Sequence, residues 1–362
     1  MYRPQLDGLR CLAFLGVFAA HCRPDVVWWG GFGVQIFFVL SGFLITRILL
    51  DHDTGPFWAT LRIFYIRRGL RVFPAYYLLL AAMLLIGATR FLPWHATYTF
   101  NMLCWHLTDQ GRHAELLANW HGEGLHLWSM SIEEQFYLLF PFALYLVPRK
   151  GRIPLTALSI GGSVVCRVLL DRHNPQAYYG ALLPVCGEYI LWGSLAAQLD
   201  AQGRLDRLSP RLARWTGIVL FAGLVFIGKP SRPTGAIFAQ FIPVPNDAWW
   251  AYGMQTGYAL AFTAVVWGLW AGRTSGLSWL LSRPPFTYLG KISYGLYLVH
   301  LPLWGAVPFY VKTLESAGLP ASEGMIFASL FLSTLAIASA SWRLVEGPIN
   351  ELKRRFPYPP TP

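Results

Sequence analysis

Charge is what this sequence has least of. Asp, Glu, Lys and Arg make up 13% of its 362 residues, against 55% hydrophobic and 16% aromatic, where a soluble domain carries about 25% charge. An ordinary water-soluble globule is therefore excluded. Cysteine is also scarce, five in all, with no paired spacing of the kind zinc or redox motifs use. Cys11, Cys166 and Cys186 stand in or beside apolar runs, where a thiol behaves as a small hydrophobe, and no spacing requires a Cys22–Cys104 disulfide. The HExxH pattern is missing, so the histidines do not read as a zinc site and no metal is expected. Gly30-Gly31-Phe32-Gly33 has neither a strand before it nor a Lys-Ser or Lys-Thr ending, which excludes a dinucleotide fingerprint and a phosphate-binding P-loop. The N-terminus lacks the basic start and small-residue cleavage site of a signal peptide, so Met1 to Cys22 reads as part of a retained first span. Nor is there an internal repeat, a coiled coil or an appended soluble domain. The formal net charge of +11 does not form one basic domain; its residues cluster between apolar segments, as the positive-inside rule arranges them, and nucleic acid is not expected as a partner.

What the sequence has in quantity is long apolar runs. A bilayer crossing needs about 20 such residues, and about ten segments qualify. They run from Leu9 to Trp28, Phe32 to Leu50, Val72 to Leu92, Leu125 to Val147, Leu155 to Leu170, Leu182 to Leu199, Leu212 to Ile227, Ala251 to Ala271, Phe286 to Phe309 and Gly324 to Leu344. The expected fold is an all-α polytopic membrane protein. Residues 1–350 would form a single transmembrane domain and 351–362 a short basic cytoplasmic tail. The clusters Arg62, Arg67, Arg68 and Arg71; Arg149, Lys150 and Arg152; Arg204, Arg207, Arg211 and Arg214; Arg273 and Arg283; and Lys353, Arg354 and Arg355 then fall on one side. That pattern predicts an even number of spans with both termini in the cytoplasm. Thr97 to Leu107 is apolar but short, and His106, Asp109, His113, Glu115, His121, Glu123 and His126 follow it. It reads as a re-entrant or surface segment, shielded by protein. Ser231 to Trp250, rich in Pro and Gly and ending in Trp249-Trp250, reads as an extracytoplasmic loop with an aromatic belt.

Against this background the ionisable residues stand out, because each is costly in an apolar segment unless it faces a protein interior or a wet cavity. Arg10 and His21 are eleven positions apart, a rise of about 16 Å and nearly a whole number of turns, so they share a helix face without touching. The plain alternative is that Arg10 snorkels to the headgroups and His21 caps the helix end. Gly33, Gln35, Ser41 and Gly42 would let two helices approach closely and set Gln35 beside the His21 end. Arg68 and Arg71, three apart, share a face, and their donor forks suit phosphates, although lipid anchoring accounts for juxtamembrane arginines equally well. Ser131 and Glu134 are likewise three apart, while the adjacent Glu133 points about 100° away; helix capping is the competing reading. His300, Arg343 and Glu346 complete the set as cavity-lining or structural groups, with Glu346 a partner for Arg343 or for Arg68 and Arg71.

Taken in order, these motifs resemble those of the acyltransferase type 3 family of bacterial membrane O-acyltransferases, over essentially the whole chain from Leu6 to Glu346. The resemblance is carried by Leu6-Asp7-Gly8-Leu9-Arg10 with His21, Gly33 to Phe43, Arg67-Arg68 with Arg71, Trp128 to Tyr137, Ser293 to His300, and Arg343 to Glu346. It implies transfer of an acyl group, commonly acetyl, from a cytoplasmic coenzyme A thioester to a hydroxyl of a sugar or glycoconjugate. By the same resemblance, Arg10 and His21 are needed for activity, Arg68 and Arg71 serve the acyl donor, and Ser131 with Glu134 forms a further functional motif. Acetyl-CoA or another acyl-CoA is then the donor substrate, membrane lipids and a sugar-containing acceptor are the partners, and the bacterial inner membrane is the location. Some relatives carry an extra esterase-like domain; without one, this chain is expected to work as a standalone transferase. Cys186-Gly187-Glu188 before Gly193 departs from the family's arginine-plus-acid pattern.

The chemistry is consistent with these residues. A free imidazole titrates near pH 6.5, so His21 is the candidate general base for a hydroxyl attacking a thioester, directly or through an acyl-imidazole. Glu134 or Glu133 would orient it or stabilise its charged form. Arg10 would line the donor's path from Arg68 and Arg71. Two rival readings remain at this level: a proton-coupled permease that uses Arg10, His21, Glu134 and His300, and a noncatalytic glycan or lipid receptor.

Overall fold

The computed structural model describes residues 2–117, 124–227, 251–272 and 275–359. The loop expected at Ser231 to Trp250, together with His121, Glu123 and Arg273, lies outside them. The described chain is helical, and its principal helices are α1 (Pro4–Cys22), α2 (Gly33–Asp51), α3 (Phe57–Leu85), α4 (Trp128–Leu146), α5 (Arg149–His173), α6 (Leu183–Ala201), α7 (Pro210–Ile227), α8 (Ala251–Ala271), α9 (Ser293–His300) and α10 (Glu323–Ser341).

Among the described residues, five helical segments are long and apolar enough to cross a membrane: Trp28–Asp51, Phe57–Leu85, Arg149–His173, Pro210–Ile227 and Glu323–Arg355. The protein is multi-pass, but the expectation of about ten spans is corrected to these five. Four other helices have the length without the composition. Asp7, Arg10 and His21 interrupt α1, Glu133, Glu134 and Gln135 interrupt α4, Glu188 and Asp200 interrupt α6, and Gln255 and Thr256 interrupt α8. The segment expected to span from Phe286 to Phe309 is broken into Pro284–Lys291, α9, a 3-10 turn at Pro302–Ala306 and a helix over Val307–Ser316. Pro302 and Pro308 each lack the backbone donor a continuous helix needs. The segment expected to re-enter overlaps the ten-residue helix Phe100–Asp109, about 15 Å long and half of the hydrocarbon thickness.

The chain divides into two compact units. The first comprises Met1–Asp53, Thr108–Gly111 and Ile132–Lys291. Its tightest packing joins α2 to α6. A Cβ on Gly42 would lie 1.9 Å from the Ile190 carbonyl oxygen, and one on Gly193 would lie 2.1 Å from that of Val39, so only glycine lets these backbones meet. Thr46 donates to Ser194 at 2.9 Å in the same seam, and Gln198 donates to Thr156 of α5 at 2.8 Å. Buried Arg167 of α5 pairs with buried Glu188 of α6. Glu188 also accepts from Thr256 of α8 at 2.6 Å and from Trp192 at 3.3 Å. One carboxylate thus ties three helices.

The second unit comprises Thr54–Leu107, Arg112–Ser131 and Ile292–Pro362. Helix α3 begins fifteen positions before the expected Val72, at Phe57. Arg62, Arg67, Arg68 and Arg71 therefore sit on a helix and not in a connecting loop. Helix α10 runs into a π-helical turn, Trp342–Glu346, and then into two short turns ending at Arg355. The Tyr294 hydroxyl of α9 donates to the Val72 carbonyl at 3.0 Å. All five cysteines are free thiols.

Candidate active site

In the first unit, α1 carries Arg10 and His21 as expected on one helix. Arg10 is paired with Asp7, one turn earlier, at 3.2 Å, and the Tyr2 hydroxyl donates to the other Asp7 oxygen at 2.7 Å. Asp7 is thus part of the Arg10 site. Its position three residues from Arg10 was the visible signal, since oppositely charged residues at that spacing meet on a helix. His21 lies half-buried in the last turn of α1, ahead of Pro24 in the turn that follows. The chain then returns through the Trp28–Phe32 turn into α2. Gly33 is needed there because a Cβ would lie 2.1 Å from the Ala13 carbonyl oxygen of α1. That close approach holds the first turn of α2, with buried Gln35, against α1.

The two glutamates of α4 have distinct settings. Glu133 is half-buried; it accepts from the Ser41 hydroxyl of α2 at 2.8 Å and from Tyr137, one turn on, at 3.2 Å. Ser41 therefore acts by holding Glu133, a link between α2 and α4 that spacing alone does not reveal. Glu134 is half-buried beside it.

In the second unit, Ser131 is fully buried and turns its hydroxyl back to the Leu127 carbonyl at 3.4 Å. Arg68 is half-buried and Arg71 exposed on α3. Glu346 is buried, accepts from Ser341 at 2.8 Å and lies within the electrostatic reach of Arg71, while Arg343 is exposed. His300 is buried on α9, its Nδ1 lying 2.6 Å from the Tyr297 carbonyl. Its ring centroid is 5.0 Å from that of buried His126, whose Nε2 lies 3.1 Å from the Leu298 carbonyl. The Tyr297 hydroxyl and Ser129 hydroxyl are 2.7 Å apart, and each donates to the His126 carbonyl at 3.1 Å. His126, Ser129 and Tyr297 thus belong with His300 in one polar cluster: each of the pairs His126–Ser129 and Tyr297–His300 is three apart, but no sequence spacing connects one pair to the other. Among the described residues, no group of three or more His, Cys, Asp or Glu side chains is arranged to hold a metal ion.

Fold and site define a class: a multi-pass helical membrane protein with ionisable groups buried on its helices and a basic cluster on α3. Residues 3–343 match the acyltransferase domain of the type 3 acyltransferase family, and the chain belongs to that family. It is 28% identical over 382 residues to the peptidoglycan O-acetyltransferase OatA of Listeria monocytogenes, which covers 97% of this chain and 56% of the relative. It is 27% identical over 384 residues to the O-acetyltransferase OatA of Staphylococcus aureus, with 97% of this chain and 57% of the relative covered. The chain therefore spans a little over half the length of these relatives. No solved structure matches it.

Proposed function

We propose that the protein is a membrane O-acyltransferase that moves an acyl group, acetyl in the first instance, from a coenzyme A thioester to a hydroxyl of a cell-envelope glycan. The observation that carries this reading is the family match from residue 3 to residue 343, which takes in Arg10, His21, Arg68, Arg71, Ser131, Glu133 and Glu134. The acceptor class is drawn from the Listeria relative, whose name specifies peptidoglycan, and the location is the bacterial cytoplasmic membrane.

In this mechanism the Arg68 and Arg71 guanidinium groups bind donor phosphates as charge-assisted, bidentate partners. His21 takes the proton of the acceptor hydroxyl as its oxygen attacks the thioester carbonyl, and returns it to the departing thiolate of coenzyme A. Glu133, fixed by Ser41 and Tyr137, supplies the negative charge that favours an imidazolium, with Glu134 in the same role from the next position. Arg10, held by Asp7, serves as a donor-positioning group. Ser131 acts with Glu134 in the catalytic motif, and Gln35, Ser41, His300, Arg343 and Glu346 give cavity or structural support.

The test is transfer of radiolabelled acetyl from acetyl-CoA to peptidoglycan or other candidate glycans in sealed inverted membranes. The wild-type chain should label an acceptor, and His21→Ala should lower the rate by 10²-fold or more, about the share of a general base. Labelling that survives His21→Ala at the wild-type rate would remove His21 from the chemistry. Acyl-CoA-independent transport of a solute, without any labelled product, would return the reading to a permease.

A further inference from the structure

The first turns of α1 are gripped from outside by two short helices, Gly276–Leu281 and Pro284–Lys291. Gly290, buried in the second of them, stands so near Asp7 that a Cβ on it would lie 1.8 Å from the Asp7 carbonyl oxygen and 2.8 Å from its Cα. Gly8, the next residue of α1, meets the first short helix in the same way, since its Cβ would lie 2.1 Å from the Leu281 carbonyl oxygen. Only glycine permits either approach. Two hydrogen bonds fix the same stretch to α8. The side-chain amide of buried Gln5 donates to the Leu269 carbonyl at 2.9 Å, and the Ser278 hydroxyl donates to the Gly272 carbonyl, just beyond α8, at 2.8 Å.

Asp7 is where these supports converge. Its main chain is seated on Gly290, and its buried carboxylate is shared between two partners. One oxygen accepts from the Tyr2 hydroxyl at 2.7 Å, and the other meets the Arg10 guanidinium at 3.2 Å. An ion pair one turn apart stabilises a helix only slightly and does so without outside support. Helix stability therefore does not account for a seat built from two glycines and a tyrosine. Placement of the guanidinium does: an arginine side chain is long and flexible, and its head is fixed only as well as the group that holds it is fixed. A carboxylate with an immobile main chain and one oxygen already engaged offers the other oxygen at one point. All of these groups belong to the first unit.

We propose that Asp7 is a positioning residue that sets the Arg10 guanidinium for the acyl donor, and that the helix Pro284–Lys291 acts through Gly290 as the seat of Asp7. The inference rests on the reading of Arg10 as a donor-positioning group. Asp7 and Gly290 act through Arg10 and do not touch the donor, so their effects should exist only while Arg10 is present.

Coenzyme A binding is measured by calorimetry on the full chain in phosphatidylcholine nanodiscs. The single variants are Arg10→Ala, Asp7→Asn, Tyr2→Phe, Gly290→Ala, Gly276→Ala and Arg68→Gln, and Asp7→Asn and Gly290→Ala are each also combined with Arg10→Ala. Arg10→Ala should weaken binding about tenfold, the worth of one charge-assisted contact. Asp7→Asn and Gly290→Ala should each weaken it about fivefold alone, and by less than about twofold when Arg10→Ala is already present, the coupling expected of residues that act through one group. Gly276→Ala, whose Cβ would meet nothing within 4 Å, should match wild type. If Gly290→Ala fails to fold, Asp7→Asn, which keeps the size of the native side chain, and Tyr2→Phe, which frees one carboxylate oxygen, still decide. Wild-type affinity in Asp7→Asn alongside a loss in Arg10→Ala would overturn the proposal. So would losses of equal size with and without Arg10, the mark of a general disturbance of α1. Wild-type affinity in Arg10→Ala alongside a loss in Arg68→Gln would overturn it and leave the donor reading in place. No coenzyme A binding by the wild-type chain would overturn both.

Discussion

Glu188 shows how much a single buried residue can decide. Arg167, Thr256 and Trp192 all donate to its carboxylate, and Arg167 also donates to the Tyr252 carbonyl. Removing one member of such a pair leaves a buried charge without its counter-ion, which costs about 3–5 kcal/mol, whereas replacing both by apolar residues is often neutral. Glu188→Ala should therefore lower the melting temperature of the detergent-solubilised protein sharply, and Arg167→Leu combined with Glu188→Leu should recover most of it. A double variant as unstable as the single one would mean that the hydrogen bonds from Thr256 and Trp192, and not the ion pair, carry the stability. The sequence marked Glu188 only as a departure from the family pattern, because its partner on α5 is twenty-one positions away and no helical period relates the two. Arg10 and Asp7 are the opposite case: they meet within one turn of α1, so the pair was readable from spacing. The same holds for Glu133 and Tyr137, but not for Glu133 and Ser41, whose contact depends on how α2 and α4 pack.

Helices end where local chemistry ends them, and this accounts for the differences between expected and observed elements. Helix α1 stops at Cys22, two residues before Pro24, although the apolar run resumes through Val26 to Trp29. Helix α3 starts well before its apolar stretch because Thr60 to Arg71 contains no glycine or proline except Gly69, and arginine is a good helix former. Hydropathy locates the apolar part of an element, whereas caps and breakers locate its ends. Small residues were readable as packing signals, and their partners were not. Gly42 is the sharpest case, with the Ile190 carbonyl 1.9 Å from where its Cβ would stand. Gly42→Leu should push α2 off α6 and abolish the monodisperse peak in detergent chromatography. Gly223→Ala offers the control: its Cβ would meet nothing within 4 Å, so the substitution should be tolerated and should gain up to about 1 kcal/mol of helix propensity. Equal behaviour of the two variants would show that the α2–α6 seam is not a close packing.

At the scale of the whole molecule, apolar surface remains abundant after folding. Leu85, Leu158, Leu169, Val219, Phe226 and Leu332, all on the five span-length segments, stay more than half exposed, as lipid-facing residues should. Composition alone made the membrane assignment legible, but not the number of spans. A run interrupted by two or three ionisable groups looks like a span when read by length and falls short when read by composition, and those are the helices that carry His21, Glu133 and Glu188. The proposed roles are likewise distributed: His21, Arg10 and Glu133 lie in the first unit, and Arg68 and Arg71 in the second. Binding and chemistry should therefore come apart under mutation. His21→Ala should keep coenzyme A affinity within about twofold of wild type while losing transfer, because the imidazole acts on the hydroxyl proton and contributes to the transition state alone. Arg68→Ala should weaken coenzyme A binding by about tenfold or more, the worth of a charge-assisted contact to phosphate, and its transfer rate should recover as acetyl-CoA is raised. Equilibrium binding measured beside acetyl transfer on the same nanodisc preparations separates the cases. If His21→Ala lost coenzyme A affinity to the same degree as Arg68→Ala, His21 would be a donor-binding group and the general base would have to be sought among the other half-buried residues of the first unit, beginning with Glu134.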